Sequence, residues 1–169
     1  MPPTLTGRQV VLSPLRADYR GRLARILAQT EVARWWGPAE ADAAADDLFD
    51  TGEQESFAIE LQGELIGSIQ FWEEDDPDYR HAAIDLFLDA EHQGYGLGPD
   101  ALRTLGRYLL QERAHHRLTI DPALDNERAI RAYESVGFRR VGIMRSYERG
   151  RDGSWHDNLL LDLLAGELR

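Results

Sequence analysis

The sequence predicts a mixed α/β or α+β protein with one central sheet flanked by helices. The first observation is the order of the elements: a strand, two helices, a run of strands, and then helix, strand, helix, strand and strand. The second is the length of 169 residues, which is enough to bury a core without disulfide bonds. The third is the lack of a linker, low-complexity tract or repeat, so residues 1–169 are expected to form a single domain.

The N-terminal half begins with a strand, and two helices follow. "RQVVLSPL" is rich in β-branched and aliphatic residues and is expected to end at Pro14. Apolar residues at helical spacing predict an amphipathic helix from Arg16 to about Thr30. A break at Gly37 and Pro38 separates it from a second helix, which the acidic, alanine-rich segment "AEADAAADDLFD" predicts.

The middle of the chain is a predicted hairpin followed by another strand. "SFAIEL" and "LIGSIQFW" flank a turn that contains Gly63, and "RHAAIDLFL" comes next. The remainder predicts a helix from Pro99 to Arg113, the strand "RLTID", and a helix that Asn126 caps and Gly137 ends. Two strands, "FRRVGIMRSYERG" and "SWHDNLLLDLL", joined by a "GRDG" turn, complete the sheet.

The composition excludes several classes of partner. Thirty acidic and 19 basic residues give a formal net charge of −11, which repels nucleic acid and anionic lipid, so neither is expected as a partner. Cysteine is absent, and His115 and His116 are adjacent instead of spaced along one face, so no metal site is predicted. The N-terminus lacks a signal pattern and no apolar run is long enough to cross a bilayer, so a cytoplasmic location is expected.

The segment 93–100, "QGYGLGPD", places three glycines between a strand and a helix. Because glycine adopts positive φ, the N–H groups at Gly94, Gly96 and Gly98 are able to turn toward one point. The following helix directs its free N–H groups and dipole there, which favours a phosphate or pyrophosphate; the alternative is a tight connection without a ligand. The segment is neither a Walker loop, which needs Gly-Lys-Ser or Gly-Lys-Thr, nor a dinucleotide fingerprint, because Pro99 replaces the third glycine.

"QGYGLG" resembles the Gln/Arg-x-x-Gly-x-Gly/Ala signature of the GNAT superfamily of acetyl-CoA-dependent N-acetyltransferases, and "DPALDNERAIRAYESVGFRRVG" is similar to its second motif. The resemblance implies the GNAT fold: a mixed, mostly antiparallel sheet flanked by helices, with splayed strands that form the acetyl-CoA cleft. It implies acetyl-CoA as co-substrate, with the backbone N–H groups of Phe87 and Leu88 facing the thioester. The implied cofactor-binding residues are Phe87, Leu88, Gln93, Gly94, Tyr95, Gly96, Leu97, Gly98, Pro99, Asn126, Ala129 and Tyr133.

Within the superfamily, the strongest likeness is to aminoglycoside 6′-N-acetyltransferases. The segments "RWWGP", "QFWEEDDPDYR" and "AAIDLFL" resemble counterparts in those enzymes, which implies a cationic small-molecule amine as acceptor. A second branch is also similar: "GRQVVLSPLRADY" and "GSWHDNLLLDLLAGEL" resemble N-terminal acetyltransferases of the ribosomal-protein type. A third hypothesis is a non-catalytic module that senses acyl-CoA. Retention of both catalytic residues described next argues against it.

Asp85 and Tyr133 are the predicted catalytic residues. Asp85 interrupts an apolar strand and shares a face with Ala83 and Phe87, so its carboxylate must be paired or open to a cleft. It matches the aspartate with which aminoglycoside acetyltransferases hold the reactive ammonium and accept its proton, directly or through water. Tyr133, one helical turn after Ala129, is by itself typical of a core aromatic, whereas the resemblance implies a proton donor to the cofactor sulfur.

The acceptor-binding residues are predicted from an acidic run and from tryptophans. The run "WEEDDPDYR" begins with Trp72, Glu73 and Glu74; it suits a cationic amine, although such runs are commonly solvated loops. Trp35, Trp36 and Trp72 offer apolar walls for a sugar ring, or else belong to the core. The complete predicted set is Trp35, Trp36, Trp72, Glu73, Glu74 and Asp85. Monomer and homodimer both stay open, since an exposed C-terminal strand would allow a second copy to pair.

Overall fold

The computed structural model describes residues 1–36 and 40–169, so the predicted break at Gly37 and Pro38 lies outside the described residues. Within them, eight strands form one sheet. The strands are β1 (Leu5–Thr6), β2 (Val10–Pro14), β3 (Glu55–Leu61), β4 (Glu64–Glu74), β5 (His81–Leu88), β6 (Arg117–Ile120), β7 (Arg139–Arg149) and β8 (Trp155–Leu164). The helices are α1 (Arg20–Leu27), α2 (Thr30–Ala33), α3 (Ala41–Asp47), α4 (Leu97–Gln111) and α5 (Glu127–Val136), with 3₁₀ turns at Ala17–Tyr19 and Ala90–His92.

The sheet runs in the order β1-β2-β3-β4-β5-β6-β8-β7. Neighbouring strands are antiparallel except β5 and β6, which are parallel. The parallel pair needs a crossover, and α4 provides it. The predicted mixed, mostly antiparallel sheet flanked by helices is therefore confirmed.

The two faces of the sheet bury separate apolar clusters. Alternation along β3 turns Phe57 and Ile59 toward the cluster that contains the inner face of α4, including Leu105. Ala58 between them faces the other cluster, which contains Leu23 of α1 and the buried residues of α3. The sheet is thus the middle of three layers, with α4 and α5 on one side and α1 to α3 on the other.

The first predicted helix differs from the structure, because the chain is helical only to Leu27 and resumes as α2. Gln29 between them is extended, with φ −65° and ψ 136°. Its side chain explains the break: Oε1 accepts the Ala90 N–H at 2.9 Å, and Nε2 donates to Asp89 Oδ1 at 3.3 Å. The end of β5 is thereby joined to the segment that carries Trp35 and Trp36.

A buried carboxylate joins the start of α4 to the N-terminal strands. Asp100, in the first turn of that helix, accepts backbone N–H groups from Arg8, Gln9 and Val10 at 2.8 to 3.1 Å. These three bonds tie the turn between β1 and β2 to the helix N-terminus, and they lower the pKa of Asp100 against the opposing effect of burial. Among the described helices, none combines the length and apolar character needed to cross a bilayer.

Candidate active site

The glycine loop, residues 93–98, connects β5 to α4. Gly94 and Gly96 have φ values of +87° and +77°, a conformation that a side chain would strain. Among the described residues, the N–H groups of residues 94–98 donate to no backbone or side-chain acceptor. They lie at the N-terminal end of α4, where the helix dipole adds positive potential. The loop therefore presents a set of free donors suited to an anion.

A groove of about 680 Å³ runs past the glycine loop and along the start of α5. We call it the glycine groove. Ten of the predicted cofactor-binding residues line it: Phe87, Leu88, Gln93, Gly94, Gly96, Gly98, Pro99, Asn126, Ala129 and Tyr133. The other two predicted residues do not, because the Tyr95 side chain is exposed outside the groove and Leu97 is buried in the core. Only their backbone N–H groups remain for a ligand.

Three arginines that the sequence analysis did not single out also line the glycine groove: Arg34, Arg128 and Arg131. The Arg128 guanidinium lies beside the loop, since a Cβ on Gly94 would come within 2.7 Å of its Nη2. Its Nη1 donates to Gln93 Oε1 at 3.4 Å. Free amides and guanidinium groups at a helix N-terminus are the donors that bind phosphate oxygens. The residues of the groove thus fit the phosphate groups of acetyl-CoA.

The strands β5 and β6 separate beside this groove. Their parallel pairing joins only Ala82 to Leu118 and Ala83 to Thr119. From Ile84 onward, β5 has no strand partner on that side among the described residues. The predicted splay is present, and it leaves the backbone of residues 84–88 open toward the groove.

The register of β5 decides which of its amides face the opening. The Asp89 N–H donates to the Ile66 carbonyl of β4 at 2.7 Å. In an antiparallel pair these bonds recur at every second residue, so the Phe87 N–H also points at β4. The Leu88 and Leu86 N–H groups point the other way, into the opening. Leu88 agrees with the sequence-based expectation for the backbone donors, whereas the Phe87 N–H faces β4 and the Leu86 N–H donates to Asp85 Oδ1.

A second cavity, of about 570 Å³, meets the glycine groove. The residues that line both are Trp35, Trp36, Leu86, Asn126 and Tyr133. Three carboxylates line only the second cavity, those of Asp85, Asp121 and Glu148. We call it the carboxylate cavity. One cation, Arg149, also lines it, and the Arg149 Nε donates to the Gly153 carbonyl at 3.4 Å.

Asp85 lies at the centre of this acidic group. Burial raises the pKa of Asp85 to about 7, and the negative charges of Asp121 and Glu148 act in the same direction. The Leu86 N–H, which donates to Asp85 Oδ1 at 2.9 Å, opposes the rise. The pKa of Asp121 is raised as well, chiefly by burial. A carboxyl group with a pKa near neutrality is matched to accepting a proton at physiological pH.

Tyr133 projects from α5 to the junction of the glycine groove and the carboxylate cavity. Burial raises the pKa of its phenol, and the charges of Asp85 and Asp121 raise it further, so the hydroxyl keeps its proton at neutral pH. The helix begins as predicted, with Asn126 Oδ1 accepting the Ala129 N–H at 3.3 Å. It ends as predicted at the left-handed Gly137, with φ +118°.

The three predicted tryptophans all line the carboxylate cavity. Trp36 stacks edge-on against Phe87, with ring centroids 4.8 Å apart. Its ring therefore lines the cavity and also packs against the apolar cluster that α1 and α3 share with the sheet. Trp35 and Trp72 complete the apolar walls around the carboxylates.

Glu73 and Glu74 do not line the cavity, which corrects the sequence-based expectation for both. Trp72 faces the cavity, so strand alternation turns Glu73 to the opposite face. There the Glu73 carboxylate forms an ion pair with Arg113 and a hydrogen bond with Nε2 of the buried His115. Burial raises the pKa of Glu73, but the bonds from Arg113 and His115 outweigh it and lower that pKa. Glu74 shares the face of Trp72 but lies at the exposed end of β4.

The sequence analysis missed five polar residues of the cavity: Asp121, Tyr147, Glu148, Arg149 and Asn158. A signal existed for Asp121, because it directly follows β6, the strand that runs parallel to the one carrying Asp85. Asn158 is 2% exposed, and its Nδ2 donates to the Asp121 carbonyl at 2.7 Å and to Glu148 Oε2 at 2.8 Å. No local pattern in the sequence marks Tyr147, Glu148 or Asn158.

Comparison with known proteins gives one family. A family model described as Acetyltransferase (GNAT) domain matches residues 9–139. Aminoglycoside N(6′)-acetyltransferase type 1 of Klebsiella pneumoniae is 35% identical over 136 residues, which cover 69% of this chain and 67% of that enzyme. Spermidine N(1)-acetyltransferase of Escherichia coli strain K12 is 26% identical over 143 residues, 81% of this chain and 76% of that enzyme.

A solved structure agrees with the fold. Mycobacterium smegmatis RimJ, in complex with CoA-disulfide, superposes with a TM-score of 0.86 and 24% identity over 98% of this chain and 89% of that one. The expected fold, the acetyltransferase activity and the use of acetyl-CoA are confirmed at the level of the family. This chain belongs to the GNAT family of acetyltransferases.

Proposed function

We propose that this protein transfers an acetyl group from acetyl-CoA to a primary amine of a cationic small molecule, and that an aminoglycoside, at its 6′-amine, is the favoured acceptor. One observation carries the proposal. The carboxylates of Asp85, Asp121 and Glu148 line a single cavity that meets the glycine groove at Tyr133. Several carboxylates in one cavity, in a chain of net charge −11, favour a molecule with more than one ammonium group.

The glycine groove would hold the co-substrate. The free N–H groups of residues 94–98 bind the pyrophosphate oxygens, and Arg128 adds a positive charge beside them. Asn126 and Ala129, at the start of α5, line the path toward Tyr133. Acetyl-CoA supplies the acetyl group in activated form, as a thioester. The chemistry of the remaining steps falls to side chains and amides of this chain.

Asp85 is the proposed general base. With a pKa of about 7, it accepts a proton from the bound ammonium group and so leaves a neutral amine nitrogen, the form that attacks a carbonyl carbon. The backbone N–H of Leu88, on the open edge of β5, is placed to donate to the carbonyl oxygen as negative charge develops there. Tyr133 donates its phenolic proton to the departing thiolate, and its phenolate takes up the proton that the attacking nitrogen loses when it becomes an amide. No covalent enzyme intermediate is needed.

The aromatic walls suit an amino-sugar. Trp35, Trp36 and Trp72 offer flat apolar surface between the carboxylates, where the ring of a sugar packs while its ammonium groups face the acids. The aminoglycoside and spermidine acetyltransferases among the relatives act, by name, on molecules with several amines. A peptide N-terminus, the alternative acceptor, brings a single α-ammonium group, which neutralises less of the negative charge of the three carboxylates. An acyl-CoA sensor, the other alternative, requires neither Asp85 nor Tyr133.

An amine panel tests the proposal. The purified protein is incubated with acetyl-CoA and either kanamycin, spermidine, glucosamine or a peptide with a free N-terminus, and released CoA is measured with a thiol reagent. The chain has no cysteine, so the protein itself gives no background in this assay. We expect the highest kcat/KM for kanamycin, with mass spectrometry showing one acetyl group at the 6′-amine. Preference for the peptide would replace the proposed acceptor, and CoA binding without release from any amine would support the sensor.

A further inference from the structure

An unusual bulge in β7 lies beside the carboxylate cavity. The antiparallel register pairs Met144 with Asn158 and Glu148 with His156. Three residues of β7, numbers 145–147, therefore oppose the single residue Asp157 of β8. A regular strand would turn neighbouring side chains to opposite faces, but a bulge re-aims them.

The bulge contains a strained residue that one side chain holds in place. Ser146 has φ +48°, in the left-handed region that residues other than glycine rarely adopt. The Asp157 carboxylate accepts the Ser146 N–H at 2.8 Å across the bulge. Both residues are exposed, and neither lines a cavity. The contact therefore stabilises the local backbone conformation and has no part in the apolar core.

Three consecutive residues at the end of the bulge and directly after it line the carboxylate cavity: Tyr147, Glu148 and Arg149. Tyr147 lies within the bulge, and Glu148 is the first residue after it that pairs with β8 again. The Tyr147 hydroxyl faces Asp121, and the negative charge of that carboxylate raises the pKa of Tyr147. Glu148 Oε2 accepts an N–H from Asn158, whose own Oδ1 is buried without a partner among the described residues. These groups form the wall of the cavity that β7 contributes.

We infer that Asp157 is a positioning residue for acceptor recognition: by holding Ser146 in the left-handed conformation, it keeps Tyr147 and Glu148 where they bind an additional ammonium or hydroxyl group of the acceptor. The inference rests on the proposed function, since it takes the carboxylate cavity as the acceptor site. Asp157 touches neither substrate and acts only through the backbone of residues 145–147.

The test compares acceptors that differ in their number of amines. Asp157→Ala removes the contact, and we expect it to raise KM for kanamycin about tenfold while KM for acetyl-CoA and kcat/KM for glucosamine, with its single amine, change less than about twofold. Ser146→Gly is the rescue variant, because glycine adopts positive φ without support from Asp157. In the double variant we expect KM for kanamycin to return to within about threefold of the starting protein. Asp152→Ala is the matched control: it removes another exposed carboxylate of the same hairpin, one that contacts Ser154 and His156 but not the bulge.

Each outcome bears on the inference. A selective rise in the kanamycin KM of Asp157→Ala, recovered by Ser146→Gly and absent in Asp152→Ala, supports it. Unchanged kinetics of Asp157→Ala, or equal losses for kanamycin, glucosamine and acetyl-CoA together with a lower Tm, overturn it while the proposed function stands. A starting protein that acetylates none of these amines overturns the proposed function and the inference with it.

Discussion

The glycine groove and the carboxylate cavity are built in different ways, although they meet at the same five residues. The groove presents backbone amides from one short stretch, residues 94–98, together with the first turns of α5. The cavity presents side chains from separate parts of the chain: Trp35 after α2, Asp85 on β5, Asp121 after β6 and Glu148 on β7. Amides are the same in every sequence, so the groove suits a ligand common to a family. The chemistry of the cavity changes with each side chain, so under the proposed function the cavity sets the choice of acceptor.

The two regions also differ in charge. The glycine groove is lined by three arginines and by three acidic residues (Glu31, Asp125 and Glu127), whereas the carboxylate cavity is lined by three carboxylates and one arginine. Under the proposed function, the acetyl-CoA phosphates bind at the glycine loop and the cationic acceptor binds among the carboxylates, with Tyr133 at the junction of the two. The comparison predicts that substitutions in the cavity alter chemistry and acceptor choice, and that substitutions in the groove alter acetyl-CoA binding alone.

The largest effect is expected at Asp85. Asp85→Asn keeps the shape of the side chain but removes the base, so kcat/KM for the acceptor should fall by about 10²- to 10⁴-fold. Binding of acetyl-CoA, measured by calorimetry, should stay within about twofold, because the carboxylate lies outside the glycine groove. Loss of acetyl-CoA affinity in this variant would show that the glycine groove does not bind acetyl-CoA independently of the carboxylate cavity.

Stability provides the control that Asp85→Asn is folded. Since the pKa of Asp85 is raised from 3.8 to about 7, the folded state disfavours the ionised carboxylate; the penalty is absent below pH 4, grows as pH rises and is complete above pH 7. Asp85→Asn removes it, so the variant should be more stable at pH 8, by up to about 4 kcal/mol at ~1.4 kcal/mol per pKa unit. Urea unfolding at pH 4 and pH 8 measures the difference. A variant less stable than the starting protein at pH 8 would contradict this account.

A substitution in the glycine groove should have a smaller effect, and it should weaken the binding of acetyl-CoA instead of the reaction with the acceptor. Gly96→Ala forces a side chain into a left-handed position with φ +77°, which costs about 1–2 kcal/mol. A loop that relaxes to avoid this strain turns its N–H groups away from the phosphate, so KM for acetyl-CoA should rise about tenfold with little change in KM for the acceptor.

Gly63→Ala is the matched control for that loop. Gly63 has φ +81° in the turn between β3 and β4, and like Gly96 it has open space around the position of a Cβ. The two variants should lose similar stability in urea unfolding, but only Gly96→Ala should lose affinity for acetyl-CoA. Equal KM values for acetyl-CoA in the two variants would contradict the binding of the co-substrate by the free amides of the glycine loop.

The contrast between the regions also explains how much the sequence predicted. The glycine groove is local: the loop, the helix that follows it and the cap at Asn126 lie in continuous stretches, and their glycine and asparagine signals have direct conformational meaning. Asp85 was predicted because a carboxylate within an apolar strand is costly to bury unless it has a partner or faces a cleft. Asp121 could also have been predicted, since it directly follows β6, the strand parallel to β5.

The remaining residues of the cavity depend on contacts that no pattern encodes. Glu148 directly follows a bulge in β7, and within that bulge the Ser146 N–H donates to Asp157, eleven residues later. Glu73 was misassigned because charge alone suggested a substrate contact, while alternation from Trp72 turns it toward Arg113. Period-two alternation was available from the sequence and would have corrected that prediction. The position of the bulge could not be predicted from the sequence.

The smallest effect is a change in pH dependence at Asp121. The groups that face Asp85 are Asp121, Glu148, the Leu86 N–H and Tyr133; the charge of Asp121 raises the pKa of Asp85, second in size to burial. The acidic limb of kcat/KM for the acceptor should therefore lie near pH 7 in the starting protein and at lower pH in Asp121→Asn. Because more Asp85 is then ionised at pH 6, the ratio of activity at pH 6 to activity at pH 8 should rise about two- to threefold, even if absolute activity falls through weaker acceptor binding. Asp75→Asn removes one charge from the exposed turn after β4 and should leave the ratio unchanged. A ratio that moves equally in both variants would assign the effect to net charge and not to the cavity.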